Sequence, residues 1–171
     1  VGWIPYRTGI KKILEEISKH RNKEFPTDAI FDIYIKHPLV FTTVYTSENI
    51  NKLDDNFVFY LLYDRKQTIR IQDLDHIMPK SILESLNYDS MKINSIKNYQ
   101  LIDYSTNRGA KNGKSFKEWL NNPEYVTDKS GFIRKHLIPA DDSLWDEKKF
   151  NDFIEKRAVI IIAKIMEYIP A

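Results

Sequence analysis

The stretch from residue 73 to residue 81 reads D-L-D-H-I-M-P-K-S and constrains the fold of this chain more than any other part of it. It places two carboxylates and an imidazole within four residues, among apolar side chains. Pro79 then ends regular strand pairing, because proline has no N–H to donate to a sheet ladder. We therefore predict a short strand whose end carries Asp75 and His76.

A second stretch, residues 98–108, reads N-Y-Q-L-I-D-Y-S-T-N-R. Residues 99–102 can form another short strand, and the Ser-Thr pair that follows offers hydroxyls suited to capping a helix start. Asn107 would then lie in the first turn of that helix. Strand, loop, strand and helix make a ββα unit, which can bring Asp75, His76 and Asn107 together.

The residue types of this trio favour one kind of chemistry. Asp75 offers a carboxylate oxygen and Asn107 an amide oxygen, a ligand set that suits Mg²⁺ or Mn²⁺ with positions left for water and phosphate oxygens. A metal held in this way stabilises the leaving oxygen of a phosphodiester. His76 lies on the opposite face of a regular strand, and its pKa is near neutrality, so it can accept a proton from the attacking water. The pattern predicts a one-metal nuclease.

On these residues the chain resembles the HNH (ββα-metal) nucleases. D-L-D-H-I-M-P-K-S, N-Y-Q-L-I-D and T-N-R-G-A-K are similar to the HNH domain of CRISPR effector nucleases. The chain looks closer still to the C-terminal nuclease domain of GmrSD-like, modification-dependent (type IV) restriction enzymes. That likeness extends through K-S-F-K-E-W-L at 114–120, H-L-I-P at 136–139, Leu-Trp at 144–145 and the last helix with Arg157, so that it covers about residues 56–169.

The resemblance implies a role for each matching residue. His76 is the general base, Asp75 and Asn107 bind the metal, and Asn98 is the asparagine of the catalytic motif that braces the loop between the strands. Asp73 is a further candidate ligand. Asparagine instead of histidine at position 107 favours magnesium over zinc or nickel. The chain has no cysteine, which excludes the zinc-cysteine knuckle of some HNH proteins.

We expect an α+β fold, predominantly helical, with the ββα-metal (HNH) motif embedded among helices. A chain of 171 residues suits one core with a helical subdomain attached. Residues 1–55 are predicted to be a helical N-terminal segment that continues a missing upstream module. Residues 56–171 are predicted to be the nuclease domain, with the ββα-metal core at about 72–120 and a C-terminal helical part at 121–171.

Hydrophobic spacing and capping residues predict the individual helices. They are expected from Thr8 to about His20, over Asp28–Lys36 with a strand as the alternative, for about two turns from Lys80, from Ser115 in a capping box with Glu118, and over the closing segment from Phe150 to Ile169. Residues 56–63 are predicted to be central to the core. His20, His37 and His136 are predicted to be surface or capping residues, and Arg157 to pair with a buried carboxylate or carbonyl.

Positive charge is concentrated next to the motif. The net charge of +2 is too small to indicate nucleic acid, but residues 108–117 carry four cations and no acidic residue. We predict contacts with DNA phosphates from Arg108, Lys111, Lys114 and, between the two halves of the motif, Lys80. The alternative is a solvated helix face, which uses the same residue types.

Together these features predict a metal-dependent DNA endonuclease domain of a restriction or antiviral defence enzyme. The resemblance implies that it acts on modified or foreign DNA under the control of a missing N-terminal nucleotide-hydrolysing module. The absence of cysteine fits the cytoplasm, and the apolar run at 159–163 is far shorter than the roughly 20 residues of a membrane helix. The alternatives are a catalytically silent DNA-binding module on the same scaffold and a structural interaction domain.

Overall fold

The computed structural model describes residues 3–20, 23–36, 46–52, 58–59, 62–63, 72–103, 111 and 113–167. Within these ranges the chain is predominantly helical with a two-stranded antiparallel sheet, which confirms the predicted α+β class. The α-helices with described bounds are α1 (Trp3–Lys19), α2 (Thr27–Lys36), α3 (Lys80–Ser85), α4 (Ser90–Ile93), α5 (Phe116–Asn121), α6 (Lys129–Lys135) and α7 (Phe150–Met166). The strands are β1 (Gln72–His76) and β2 (Tyr99–Asp103), and short 3₁₀ helices span Asn49–Lys52, Ile96–Asn98, Asp142–Trp145 and Glu147–Lys149.

The sheet buries polar side chains. Strands β1 and β2 pair in a register that sets Asp75 opposite Gln100 and His76 opposite Tyr99. Because successive side chains of a strand point to opposite faces, Asp75 and His76 lie on different faces. Asp75 and Gln100 are 9% and 0% exposed, whereas Leu74 on the other face is 48% exposed. This is the reverse of the usual amphipathic strand, whose apolar face is the buried one.

The hydrophobic core begins directly after β1. Ile77 and Met78 are fully buried and join a cluster to which α3, α5 and α7 contribute. The other buried members are Leu83, Ile93, Phe116, Trp119, Leu120, Val126, Ile138, Trp145, Phe150, Phe153 and Ile154. Burial of one large apolar side chain contributes about 1.5–3 kcal/mol. The end of β1, with Asp75 and His76, is therefore anchored to the core.

The helix predictions are confirmed in most places. Helix α7 buries Arg157 and six apolar residues at the predicted helical spacing, and the segment from 28 to 36 is helix α2 rather than a strand. Helix α1 begins at Trp3, earlier than the predicted cap Thr8, and Pro5 lies in its first turn, where a backbone N–H has no partner within the helix. Within the described ranges, no helix combines the length and the apolar character that crossing a bilayer requires.

The start of α5 is stabilised by a residue that is distant in sequence. Ser115 makes no side-chain cap to its own helix. Instead, buried Glu147 accepts the Phe116 N–H at Oε1 (2.6 Å) and the Ser115 hydroxyl at Oε2 (3.2 Å). The predicted capping box between Ser115 and Glu118 is therefore wrong, and a carboxylate brought by the tertiary fold occupies the positive end of the helix.

The chain divides into two compact units. One comprises residues 1–45 and 166–171, and the other comprises residues 46–165. The division falls after residue 45, whereas the predicted boundary lies after residue 55. Within the larger unit, the Lys97 ammonium donates to the Ser47 hydroxyl (3.0 Å) and ties the segment at 46–52 to the loop before β2.

Candidate active site

One buried asparagine holds the loop between β1 and β2. Asn98 is 0% exposed; its Oδ1 accepts the Met78 N–H (3.0 Å), and its Nδ2 donates to the carbonyls of Met78 (3.2 Å) and Ile93 (3.1 Å). The Asn98 carbonyl also accepts the Ile77 N–H (2.7 Å). Asn98 thus braces the loop, as the resemblance implies, and fixes the backbone directly after His76.

Arg157 holds the same loop from α7. Its guanidinium is 1% exposed, donates to the carbonyls of Ile96 (2.9 Å) and Lys97 (2.8 Å), and reaches the His136 carbonyl (3.2 Å). Burial lowers its pKa to about 10, so the group remains protonated at neutral pH. The predicted pairing with a buried carbonyl is confirmed, and the loop before β2 is attached to the core helix.

The Asp75 carboxylate is paired with the ammonium group of a buried lysine, Lys111. Its Oδ2 accepts from Gln100 Nε2 (2.8 Å) and from the Lys111 ammonium. Lys111 is 2% exposed and also donates to the His76 carbonyl; burial lowers its pKa, and the Asp75 carboxylate opposes that shift. Lys111 is therefore not the exposed phosphate contact that we expected. Its ammonium is turned inward to a carboxylate that has itself lost most of its water.

His76 is half-buried and is held on two sides. Its Nε2 lies 3.0 Å from Asn94 Oδ1, and the ring packs edge-on against Tyr99, with 4.9 Å between the ring centroids. Burial lowers the pKa of His76, and the Asn94 hydrogen bond and the Asp75 carboxylate oppose that shift. The imidazole is therefore neutral at neutral pH, the state in which one nitrogen can accept a proton.

Asp75 and His76 line a common cavity of about 290 Å³. The other lining residues are Pro79, Lys80, Ser81, Lys111 and Gly113. The Lys80 ammonium pairs with Glu84 on the surface of α3 (3.6 Å), a contact whose contribution to stability is small. Lys80 is thus the cation at this cavity that is best placed for a phosphate.

The chain turns sharply at the cavity wall after Lys111. Gly113 has a φ of 74°, a conformation that glycine adopts without steric cost, and the Lys114 N–H donates to the Lys111 carbonyl (2.8 Å). Lys114 and Ser115, which follow this turn, are not among the residues that line the cavity.

The remaining predicted site residues fall into two groups. The Lys114 ammonium lies 4.9 Å from the centroid of the Tyr125 ring and is not among the residues that line the cavity, while Asp73 shares the Asp75 face of β1. Asn107 and Arg108 lie outside the described residues. The second metal ligand and the helix of the ββα unit therefore stay predictions, as does metal binding by Asp73.

The donor chemistry at Asp75 fits a hard cation. The buried Asp75 carboxylate stabilises a positive charge next to it, which in this structure is the Lys111 ammonium. A carboxylate together with a neutral amide oxygen is also a ligand set that suits Mg²⁺ or Mn²⁺. Within the described ranges no three His, Cys, Asp or Glu residues are grouped to hold a metal. The predicted ligand pair differs from such a group, because it has only two protein ligands and one of them, Asn107, is an amide.

His136 corrects a prediction. It is 3% exposed, not a surface residue, and its Nδ1 lies 2.8 Å from the Tyr63 hydroxyl, which accepts the Leu101 N–H (3.0 Å). Burial lowers the pKa of His136 to about 3 and raises the pKa of Tyr63 to about 12. Both groups are neutral, and together they connect the segment after α6 to β2.

Three residues contact the site without having been predicted to do so: Gln100, Asn94 and Tyr63. The position of Gln100 has a usable signal, because pairing the two predicted strands sets it opposite Asp75. Asn94 carries no such signal, since its contact with His76 depends on how the loop folds. Tyr63 was predicted only as part of the apolar core segment.

Comparison of the chain with models of protein families, with curated proteins and with solved structures finds no match. The residues of this site and their geometry are therefore the basis on which a function can be inferred for the chain.

Proposed function

We propose that this chain is a metal-dependent DNA endonuclease domain that hydrolyses phosphodiester bonds by a one-metal HNH mechanism. One observation carries the proposal. At the braced end of one strand, Asp75, whose carboxylate is buried, and His76, whose imidazole is half-buried, are both among the residues that line one cavity. A carboxylate of this kind suits a cation, and an imidazole of this kind suits proton transfer.

His76 is the general base in this proposal. Its pKa is lowered by burial, so the ring is neutral near pH 7 and can accept the proton of the attacking water. The Asn98 contacts with Met78 hold the backbone just after the ring, which supports a fixed position for the base.

Asp75 would hold Mg²⁺ or Mn²⁺ together with Asn107. When bound, the cation supplies Lewis-acid stabilisation of the charge on the phosphate and leaving-group oxygens. Gln100 orients the Asp75 carboxylate through the 2.8 Å hydrogen bond to Oδ2, in the manner of the outer partners of metal ligands in general.

Cations near the cavity would bind the DNA phosphates that flank the cut. Lys80 lines the cavity, and Arg108 and Lys114 are assigned from the sequence alone. The resemblance to the GmrSD-like enzymes adds the biological setting to this proposal. The domain would act in the cytoplasm on modified or foreign DNA, as part of a restriction system controlled by a nucleotide-hydrolysing module.

Cleavage of supercoiled plasmid in Mg²⁺, in Mn²⁺ and in EDTA tests the proposal. We expect nicking that requires the metal, and a rate lowered by about 10²- to 10⁴-fold in His76→Ala. His20→Ala is the matched control, because that imidazole pairs with Glu16 on α1 and lies in the other unit. No metal-dependent cleavage by the wild type, or equal rates for the two alanine variants, would reject the proposal.

The Lys111 contact favours a second candidate, a catalytically silent DNA-binding or interaction module on the same scaffold. In such a module the ammonium would balance Asp75 permanently, and no metal would be needed. This candidate predicts DNA binding without cleavage and no heat of Mn²⁺ binding by calorimetry. Saturable Mn²⁺ binding that is lost in Asp75→Ala would exclude it.

A further inference from the structure

Asn94 contacts the imidazole of His76 from the loop between the strands. It follows α4 directly, and its backbone N–H donates to the Ser90 carbonyl (3.0 Å). Its side chain lies between two partners, with Oδ1 3.0 Å from His76 Nε2 and Nδ2 3.2 Å from Ser90 Oγ. The start of α4 is in turn capped by Asp89, which accepts two backbone N–H groups. The position of Asn94 is therefore set by a capped turn of helix.

This contact determines which nitrogen of His76 carries the proton. A neutral imidazole has one N–H donor and one acceptor nitrogen, and an amide oxygen can only accept. Nε2, which faces Asn94 Oδ1, is then the protonated nitrogen, and Nδ1 keeps its lone pair. The edge-on packing of Tyr99 restricts rotation of the ring, so the tautomer and the ring plane are fixed together.

We propose that Asn94 is a positioning residue that makes Nδ1 of His76 the proton acceptor. The inference rests on the proposed function, because a preferred acceptor matters only where His76 is the base. In the reaction the water oxygen bonds to phosphorus, its proton passes to Nδ1, and the leaving oxygen departs with the electron pair of the broken P–O bond. The Nε2–H contact with Asn94 stabilises the imidazolium that results, as a carboxylate does for the histidine of a catalytic triad.

The ring nitrogens report the contact without any reaction. Nitrogen-15 NMR of the histidine rings in the metal-free chain of 171 residues, at one pH above the imidazole titration, distinguishes the two tautomers. The chain has four histidines, and the His76 signals are those that disappear in His76→Gln. We expect the Nε2–H tautomer in the wild type, a mixture in Asn94→Ala, and recovery of Nε2–H in Asn94→Asp, which keeps an acceptor oxygen.

The kinetic effect follows from the same contact. We expect Asn94→Ala to lower kcat for plasmid cleavage by about 10- to 100-fold, the usual range for a residue that orients a functional group. KM should not change, because Asn94 acts through His76, and Asn94→Asp should recover most of the rate. Asn121→Ala is the matched control, since it removes an exposed asparagine whose amide donates to the Lys117 carbonyl.

Three results would overturn the inference. They are the Nδ1–H tautomer in the wild type, which the opposite orientation of the Asn94 amide would produce; an unchanged tautomer in Asn94→Ala; and equal kcat values for Asn94→Ala and the wild type. A wild type that does not cleave DNA rejects the proposed function itself. If the wild type cleaves DNA and Asn94→Ala cleaves it at the same rate, only the positioning role is rejected.

Discussion

Replacing Lys111 with methionine tests whether its ammonium occupies the position that a metal would take. The two side chains of the pair are 3% and 10% exposed for Lys111 and Asp75. Methionine keeps an unbranched apolar side chain but removes the charge, which in Lys111 lies 5.8 Å from the centroid of the Trp119 ring. Loss of one partner from a buried ion pair destabilises a protein by about 3–5 kcal/mol, because the other charge stays buried without a partner.

The expected result depends on the metal. In EDTA, Lys111→Met should lower the free energy of unfolding by about 3–5 kcal/mol. A cation bound at Asp75 replaces the missing charge, and a ligand at 100 times its Kd stabilises the folded state by about 2.7 kcal/mol. The variant should therefore recover much of its stability in Mn²⁺ and bind Mn²⁺ more tightly than the wild type does.

Urea unfolding in EDTA and in Mn²⁺, together with calorimetric Mn²⁺ titration, measures both effects. Lys114→Met is the matched control: it removes the same charge from a lysine that lies over Tyr125 and does not line the cavity. If Lys111→Met lost the same stability in Mn²⁺ as in EDTA, with no gain in affinity, the ammonium and the metal would not share a position.

Two further predictions concern the supports of the site. Asn98→Ala leaves one N–H and two carbonyls of the loop without this partner, which costs about 1–3 kcal/mol for each group. Urea unfolding should therefore show that the free energy of unfolding falls by several kcal/mol. A fall of less than about 1 kcal/mol would contradict the bracing role. His136 has a folded pKa of about 3, below its ordinary value, so the unfolded chain binds the extra proton first as pH falls. Stability should decline by about 1.4 kcal/mol per pH unit below about pH 6, and His136→Gln should remove that part of the slope; an identical slope in both proteins would contradict the assignment.

The sequence predicted the elements whose signal is local. Helix α7, for example, follows from apolar residues at helical spacing. Asn98 and Arg157 also behave as predicted, because a buried polar side chain must find hydrogen-bond partners in the nearby backbone.

The contacts that the sequence did not predict are all distant in sequence. Nothing local distinguishes Lys111, which is buried against Asp75, from Lys114, which lies over Tyr125. Glu147 replaces the predicted capping box only because the fold brings it to α5, and the burial of His136 depends on Tyr63 in the same way. Hydrophobic periodicity predicts which face of an element is buried, but not which polar groups meet there.

Anomalous diffraction from crystals of the chain grown with Mn²⁺ shows directly whether a cation binds at Asp75. We expect a peak at about 2.1 Å from a carboxylate oxygen of Asp75, with the Asn107 amide as a second ligand and the Lys111 ammonium moved away from Asp75. An Mn²⁺ peak only at other positions, with Lys111 still in contact with Asp75, would contradict this expectation.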